Sequence, residues 1–182
     1  DFQFNVTLCD PNINAVVANQ TPQQFCIGET ITLQNNSING SSYAWDFGVP
    51  GINTDVSDEF EPTYTWPEAG DYLVSLIVNP EWPCADTSEV MYLVYPPLEP
   101  EIVVESFECL DDLEYFSFGA NGNIDEDAEW QWVFDTGTPS ATTEANPTDI
   151  AFGNSSSWSA AVTVENHGCS AEADFTWEAP PA

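Results

Sequence analysis

Apolar and polar residues alternate along most of this chain with the period of a β-strand. The clearest runs are residues 43–47 and 72–78, where every second residue is aromatic or aliphatic: Tyr43, Trp45, Phe47, Tyr72, Val74, Leu76 and Val78. Because successive side chains of a strand point to opposite faces of a sheet, each run predicts a strand with one buried face. Glycine and proline residues between the runs mark turns. Together they predict the core of a β-sandwich.

Shorter runs extend this prediction over the rest of the first half. Residues 15–17, 30–33 and 90–94 are predicted as further strands, and residues 1–8 alternate polar positions with Phe2, Phe4, Val6 and Leu8. A proline-rich stretch at 96–100 predicts a short, extended linker. No helix longer than a turn or two is expected.

The second half of the chain repeats the first. The spacing is 85 residues both between two corresponding prolines and between two corresponding cysteines. The matched positions include Trp45 with Trp132, Phe47 with Phe134, Pro62 with Pro147, Cys26 with Cys109, and Cys84 with Cys169. A stable period of this kind predicts tandem modules.

We therefore expect a first module at residues 10–95, a linker at 96–100 and a second, more degenerate module at 101–182. The leading strand, residues 1–9, admits two interpretations. It is either the closing strand of an upstream module, or a strand that adds to a sheet edge of its own or a neighbouring subunit. Supply to a neighbour would use main-chain hydrogen bonds and would link subunits head to tail.

The order of these motifs resembles that of the PKD domain, an Ig-like module of bacterial and archaeal proteins. The resemblance rests on Trp45-Asp-Phe47-Gly48, on Glu61-Pro62-Thr-Tyr64 and on Gly70-Asp-Tyr72-Leu-Val74-Ser-Leu76. It is strong over residues 26–94 and weak over 109–177, and it departs at Val49, where the family usually has Asp. It implies an all-β fold of two tandem Ig-like (PKD-type) β-sandwich modules, with a non-standard turn after Phe47.

The opening Cys26-Ile-Gly-Glu29 and the paired cysteines are similar to PKD repeats in large secreted surface proteins of Bacteroidota. Those proteins include gliding-motility adhesins and cargo of the type IX secretion system. The resemblance implies an extracellular or cell-surface location.

The charge of the chain narrows the choice of partner. There are 31 acidic residues, no Lys or Arg and one His, which gives a formal net charge of -31. Such a surface repels phosphate backbones and anionic lipids, so nucleic acid and anionic membranes are excluded as partners. Because only His167 could form a side-chain ion pair with an acid, salt, divalent cations or backbone amides must relieve the self-repulsion. This favours a salt-exposed extracellular protein.

Five cysteines in an extracellular protein predict disulfides. Because they occupy corresponding positions of the repeat, we expect Cys26 to pair with Cys84 and Cys109 with Cys169. Cys9 is left over, and it is either bonded to a cysteine outside this sequence or a free thiol. A zinc site is not expected, because the chain has no Cys-x-x-Cys pair and one His.

Two acidic groups are candidates for calcium, which takes six to eight oxygen ligands. They are Asp125, Glu126 and Asp127, and Asp55, Asp58 and Glu59. The alternative interpretation is that both are solvated acidic loops. Beyond structural calcium we expect no cofactor.

Three tryptophans fall outside the predicted in-facing positions and could stack on sugar rings: Trp66, Trp82 and Trp177. The alternative is that they cover hydrophobic edges of the sandwich. His167 lies in a turn without a nucleophile partner, so it is interpreted as a surface residue and not as a catalytic base. No enzyme activity is expected.

Two functions remain. The first is a non-catalytic structural or adhesive repeat segment of a bacterial surface protein or fibre, whose partners are neighbouring modules, identical subunits or a surface. The second is an accessory carbohydrate-binding module of a secreted enzyme. The flanking sequence would distinguish them, since further modules favour the first and a catalytic domain favours the second.

Overall fold

The computed structural model describes residues 12–18, 23–110, 113–153 and 157–178. This part of the chain forms fourteen β-strands and no helix, and the chain divides into two compact units, Asp1–Pro96 and Pro97–Ala182. The division falls inside the predicted proline-rich linker. The predicted fold class, all-β with two β-sandwich modules, is confirmed. The predicted leading strand at residues 1–9 lies outside the described residues.

Seven of the described strands belong to module 1: β1 (Gln23–Cys26), β2 (Ile31–Thr32), β3 (Tyr43–Asp46), β4 (Val56–Ser57), β5 (Thr63–Tyr64), β6 (Gly70–Val78) and β7 (Asp86–Tyr95). One sheet has the order β1-β7-β6-β3-β4, and β2 pairs with β5 in the facing sheet. All these pairs are antiparallel except β1 with β7, which is parallel.

The core of module 1 includes the residues that the alternating pattern predicted to face inward. Trp45, Phe47 and the alternate residues of β6 from Tyr72 to Val78 are buried. Trp66 lies among them, with the ring centroids of Tyr92 and Phe25 at 5.2 Å and 5.4 Å. Such aromatic packing accounts for much of the area that a small sandwich removes from water.

Two polar contacts fix the geometry of this core. The indole Nε1 of Trp45 donates to the carbonyl of Glu59 at 3.0 Å, so the buried ring leaves no unsatisfied donor. The hydroxyl of Tyr72, near the start of β6, donates to the carbonyl of Glu68 at 2.8 Å. A tyrosine bonded to the backbone just upstream of its strand is a recurrent corner of Ig-like sandwiches.

Gly48 shows why the chain needs a glycine directly after Phe47. Its φ is 76°, in the left-handed region, and a Cβ at this position would lie 2.5 Å from the carbonyl oxygen of Leu73. Any side chain would therefore collide with the backbone of β6 as well as strain the turn.

The other seven described strands belong to module 2: β8 (Glu101–Leu110), β9 (Leu113–Asn121), β10 (Glu129–Asp135), β11 (Ala141–Thr142), β12 (Ile150–Phe152), β13 (Ser157–Asn166) and β14 (Cys169–Glu178). One sheet has the order β11-β10-β13-β14 and the other β12-β9-β8, and all their pairs are antiparallel. Trp132 and Phe134 are buried, as predicted.

The core of module 2 is more aromatic than that of module 1, and more of its buried hydrogen-bond donors lack a partner. Phe118, Phe152 and Trp158 are almost fully buried, and Trp158 stacks on Phe152 with centroids 4.2 Å apart. The Nε1 atoms of Trp132 and Trp158 are buried without a hydrogen-bond partner. Trp132 therefore lacks the bond that its counterpart Trp45 makes, and an unmade buried bond costs about 1–3 kcal/mol.

Each module contains an equivalent main-chain hydrogen bond, and the positions of these two bonds support the alignment of the repeat. The amide of Leu33 donates to the carbonyl of Pro62 at 2.8 Å, and the amide of Phe118 donates to that of Pro147 at 2.8 Å. Both the donors and the acceptors lie 85 positions apart. The period read from the sequence is therefore a period of the structure.

Candidate functional site

Asp125, Asp127 and His167 form a group of potential metal ligands in the described part of the chain. The Nε2 atom of His167 lies 2.8 Å from Oδ2 of Asp125 and 3.9 Å from Oδ1 of Asp127. One ligand atom from each residue lies within 4.8 Å of the others. Both carboxylates are exposed, whereas the imidazole is largely covered.

The turn between β13 and β14 positions the imidazole. His167 and Gly168 both have positive φ, 52° and 81°, as a two-residue hairpin turn of the favoured type requires. Asn166, buried at the end of β13, holds the facing loop through both ends of its carboxamide. Its Oδ1 accepts from the amide of Asp125 at 3.2 Å, and its Nδ2 donates to Oδ1 of Asp127 at 3.1 Å. The turn and the loop are thus held together.

Two carboxylates and one imidazole can bind a divalent cation or form an ion pair with a protonated histidine. An imidazole ligand suits a transition metal better than calcium, which takes six to eight oxygens. Water would have to supply the remaining ligands of either ion. Cys169, two positions after His167, is disulfide-bonded and therefore does not present a free thiol to the imidazole.

The structure brings together part of the predicted acidic group and adds a residue. Asp125 and Asp127 converge, whereas Glu126 is exposed and lies outside the ligand group. His167 was interpreted from the sequence as a lone surface residue, and it lies about 40 positions away. The available signal was its Asn-His-Gly turn, which predicts a tight hairpin but not what the hairpin faces.

The second acidic group does not converge in the structure. Asp55 is buried, and its Oδ2 accepts from the amide of Val49 at 2.7 Å, while its Oδ1 is buried without a partner. Asp58 and Glu59 are exposed. Among the described residues these three acids form no group of ligand atoms within 4.8 Å. Asp55 instead organises the turn after Phe47.

The predicted pairing of the cysteines is wrong. Cys26, Cys84 and Cys169 are disulfide-bonded, but Cys109 is free and exposed, so it does not bond to Cys169. Cys26 lies opposite Tyr95 at one end of β7, and Cys84 precedes the other end. Because a strand rises about 3.3 Å per residue, the ten residues of β7 place the two cysteines roughly 30 Å apart. A disulfide requires Cα atoms within about 7 Å, so Cys26 cannot bond to Cys84. Cys9 lies outside the described residues.

The three candidate tryptophans have different surroundings. Trp66 is 2% exposed, and its Nε1 donates to the carbonyl of Phe47 at 3.0 Å, so its proposed stacking on a sugar is wrong. Trp82 is 43% exposed. Trp177 is partly exposed and stacks on Trp158 with centroids 5.9 Å apart and an interplanar angle of 8°.

A shallow concavity that the sequence did not predict lies on the outer face of the larger sheet of module 2. Its volume is about 370 Å³, and it is lined by Glu129, Trp130, Gln131, Thr143, Thr163 and Glu165. Its exposed side chains are carboxylates, an amide and hydroxyls, whereas Trp130 alternates with Glu129 and Gln131 and shares the inward face of β10 with buried Trp132.

Comparison with known proteins yields no family and no curated relative. No protein-family model matches the chain, and no curated protein matches it either. The described residues contain no helix that is long and apolar enough to cross a membrane.

Solved structures with a similar fold come from several kinds of protein. The fibronectin(III)-like modules of Clostridium thermocellum CbhA are 10% identical with a TM-score of 0.47, and the match covers 90% of this chain and 92% of theirs. The amphioxus IgVJ-C2 molecule is 11% identical with a TM-score of 0.35, covering 86% and 98%. Cadherin domains 1–4 of protocadherin Gamma B7 are 11% identical with a TM-score of 0.31, covering 92% and 50%.

The fold and the bonded cysteines define the class of this protein. It consists of two all-β sandwich modules, one in each compact unit of the chain. Disulfides in such small modules form and persist in oxidising, extracellular environments.

Proposed function

We propose that this chain is a non-catalytic, PKD-type repeat segment of a bacterial surface protein or extracellular fibre. Its role is structural or adhesive, as in gliding-motility adhesins and type IX secretion cargo of Bacteroidota. One observation carries the proposal. The motif residues of both repeats, among them Trp45, Phe47, Trp132 and Phe134, are buried in the two cores. The repeated pattern therefore serves the fold of a module.

The surface chemistry supports the same role. A net charge of -31 without Lys or Arg keeps chains apart and soluble in saline surroundings, and it disfavours nucleic acid and anionic lipid. Partners are then neighbouring modules, identical subunits or an uncharged surface. Structural calcium at Asp125 and Asp127 is compatible with this role and is a separate proposal.

A binding and hydrolysis screen with the full chain tests the proposal. The protein would be applied at 10–100 μM, roughly the range of weak recognition, to immobilised plant, algal and bacterial polysaccharides. We expect neither retention nor release of reducing sugar, and we expect the parent gene to encode further modules with the same period. Hydrolysis by the purified chain would overturn the proposal.

Carbohydrate binding is the second candidate function, and exposed Trp82 favours it. If a polysaccharide retains the protein, W82A should weaken retention at least tenfold, because the exposed indole face that could stack on a sugar ring is lost. The matched variant W82F keeps an aromatic face and should retain most of the affinity. Equal loss in W82A and W82F would point to unfolding and not to stacking.

A further inference from the structure

We propose that the open edge of β14 in module 2 accepts residues 2–8 of a second copy of this chain as an added strand. This inference rests on the proposed role as a repeat segment, and it names the partner and the contact surface. An added strand would use the main-chain groups of the edge for affinity and alternate side chains for register.

The two modules differ at the edge in question. In module 1 the strand β7 carries β1 on its outer side, with Gln23 opposite Tyr92 and Cys26 opposite Tyr95. In module 2 the corresponding strand β14 pairs with β13 alone among the described strands. β8 packs near β14, but it pairs along its length with β9 and forms no ladder with β14. The place that β1 fills in module 1 therefore has no described strand in module 2.

In module 1, β1 places an apolar side chain in the core, and a strand added at the corresponding edge of β14 would have to do the same. Phe25 of β1 is buried, and its ring packs against Trp66 at 5.4 Å and Tyr92 at 5.9 Å. Trp177 corresponds to Tyr92 at the spacing of 85 residues. It is partly exposed, whereas Tyr92 is covered.

An aromatic seam runs between the edges of β8 and β14. We define it by Phe107, Phe116, Trp158, Phe175 and Trp177. The Phe107 ring lies 5.0 Å from that of Phe116, which lies 4.6 Å from Trp158, and Trp158 in turn contacts Phe175 at 5.7 Å and Trp177 at 5.9 Å.

The seam is open to solvent at its β8 side. Phe107 is 52% exposed and Leu110 is 60% exposed, although both are large apolar side chains on an edge strand. Exposed apolar residues on a sheet edge favour pairing with another chain.

The hairpin register identifies the backbone groups that face the open edge. Asn166 pairs with Cys169 across the two-residue turn, so this is a hydrogen-bonded pair and every second pair along the hairpin is too. The residues of β14 between those pairs include Asp174, Thr176 and Glu178. Their N–H and C=O groups point away from β13 and are available to an added strand.

The leading segment of the chain has the composition that the seam requires. Within residues 2–8, four apolar side chains alternate with Gln3, Asn5 and Thr7, and none of the seven is charged in a chain with 31 acids. The four apolar side chains would cover the seam. The neutral polar residues would lie beside exposed Asp174 and Glu178 without adding repulsion.

A second copy is the donor that the proposed role as a repeat segment favours, because a strand supplied between copies links them head to tail. Supply by the same chain is the competing outcome of the test.

Sedimentation velocity of the full chain tests the proposal. All proteins would carry Cys109→Ser, so that the free thiol cannot link copies, and would be measured from 5 to 500 μM in about 0.5 M NaCl, where the Debye length is about 4 Å. We expect concentration-dependent association. Phe4→Asp on the donor and Thr176→Pro on the acceptor should each weaken it at least tenfold, because proline removes an outward N–H.

Matched variants separate these effects from charge and folding. Asn5→Asp adds the same charge on the opposite face of the donor, and Thr176→Val keeps the edge N–H, so both should associate as the parent does. Mixing the Phe4→Asp protein with the Thr176→Pro protein should restore a one-to-one dimer, because each retains one intact partner surface. If Thr176→Pro does not fold, Phe107→Asp at an exposed position replaces it.

Three results would overturn the proposal. The first is a parent protein that stays monomeric at all concentrations, which is the result expected if each chain supplies its own strand. The second is a mixture of the two variants that fails to form a dimer. The third is unchanged association of the Phe4→Asp protein. The structural role proposed above would survive each of them, because the polysaccharide screen and the flanking sequence test that role separately.

Discussion

Among single residues, Cys109 differs from the other described cysteines. It is exposed and free, whereas Cys26, Cys84 and Cys169 are disulfide-bonded. It lies in β8 opposite Glu114, whereas Cys169 is almost fully buried and bonded. The sequence spacing could not show this difference, because corresponding cysteines of two repeats need not have corresponding partners.

The first prediction concerns these thiols. Alkylation of the unreduced, denatured protein should label Cys109, and labelling there should disappear in Cys109→Ser. Non-reducing peptide mapping with a protease that does not require Lys or Arg should yield no peptide that links Cys26 to Cys84, because β7 separates them. A Cys26–Cys84 peptide would contradict the strand register described above, and a Cys109–Cys169 peptide would contradict the free thiol of Cys109.

The second prediction concerns Tyr92 and alkaline pH. Burial raises the pKa of the Tyr92 phenol above its ordinary value of 10.0. The unfolded chain then releases this proton near pH 10 while the folded module retains it, so the free energy of unfolding falls as pH rises above about 10. Burial also raises the pKa values of Tyr64 and Tyr72, and nearby Asp55 and Glu68, respectively, add to the effect.

Urea unfolding between pH 8 and 11 checks this dependence. Tyr92→Phe removes the ionisable group and keeps the ring, so its stability should fall less steeply above pH 10 than that of the parent. Below pH 9 the two slopes should agree. Identical slopes at high pH would show that Tyr92 ionises as readily in the folded module as in the unfolded chain.

At the scale of elements, each module has a buried asparagine at the end of a long strand. Its side chain binds the loop that precedes the neighbouring strand of the same sheet. Asn79 follows β6, and its Oδ1 accepts from the amides of Ser41 at 2.8 Å and Ser42 at 3.0 Å. Asn166 ends β13 and binds the loop at Asp125 and Asp127. Both are buried, and this shared device was not among the motifs read from the sequence.

The third prediction tests this device in module 1. Asn79→Ala should destabilise module 1 by about 2 kcal/mol, because two amides would lose their acceptor in a mostly buried site. Asn79 has a φ of 52°, so Asn79→Gly separates the loss of the acceptor from backbone strain. Glycine should show most of the loss if the hydrogen bonds dominate. A change below 0.5 kcal/mol in Asn79→Ala, within the range of ordinary surface substitutions, would argue against the role.

The two modules differ most in how their first strands pair. β1 crosses to β7 in module 1, whereas β8 continues along β9 as one ten-residue partner. This difference leaves the aromatic seam exposed at its β8 side, where the added strand is proposed to bind. It depends on which sheet edge the chain reaches after its first residues, and that is a long-range decision.

At the scale of the whole molecule, charge is the dominant property. With 31 acids and no Lys or Arg, the compact state is destabilised by self-repulsion that ions in solution screen. Most proteins relieve such repulsion with basic residues placed among the acidic ones. In the described part of this chain, His167 lies within ion-pairing distance of two acidic residues, Asp125 and Asp127.

The fourth prediction follows from this charge. Raising NaCl from 20 to 500 mM, which shortens the Debye length from about 20 to about 4 Å, should raise the Tm of the full chain by several degrees. Magnesium or calcium chloride at equal ionic strength should have at least the same effect. A larger gain with calcium that Asp125→Asn and Asp127→Asn together remove, and that Glu126→Gln keeps, would locate an ion at the cluster. A Tm independent of salt would contradict the role assigned to charge.

The fold class, the repeat and most of the core residues could be predicted from the alternation of apolar and polar positions. Alternation at period two is a local consequence of strand geometry, so Trp45, Phe47, Trp132 and Phe134 could be placed in the two cores without knowing what they touch. The same local pattern misled where burial had no periodic signal, as for Trp66, which lies between strands yet packs at the centre of module 1.

Contacts between residues far apart in the sequence could be identified only in the folded chain. The bonding of the cysteines depends on which end of β7 each one reaches, and the group of Asp125, Asp127 and His167 depends on a hairpin folding against a loop about 40 residues away. Likewise, whether a preceding strand crosses to β14 decides if its outer edge is covered, and no described strand pairs there. Residues far apart in sequence are brought together by sheet topology and register, and no local pattern contains that information.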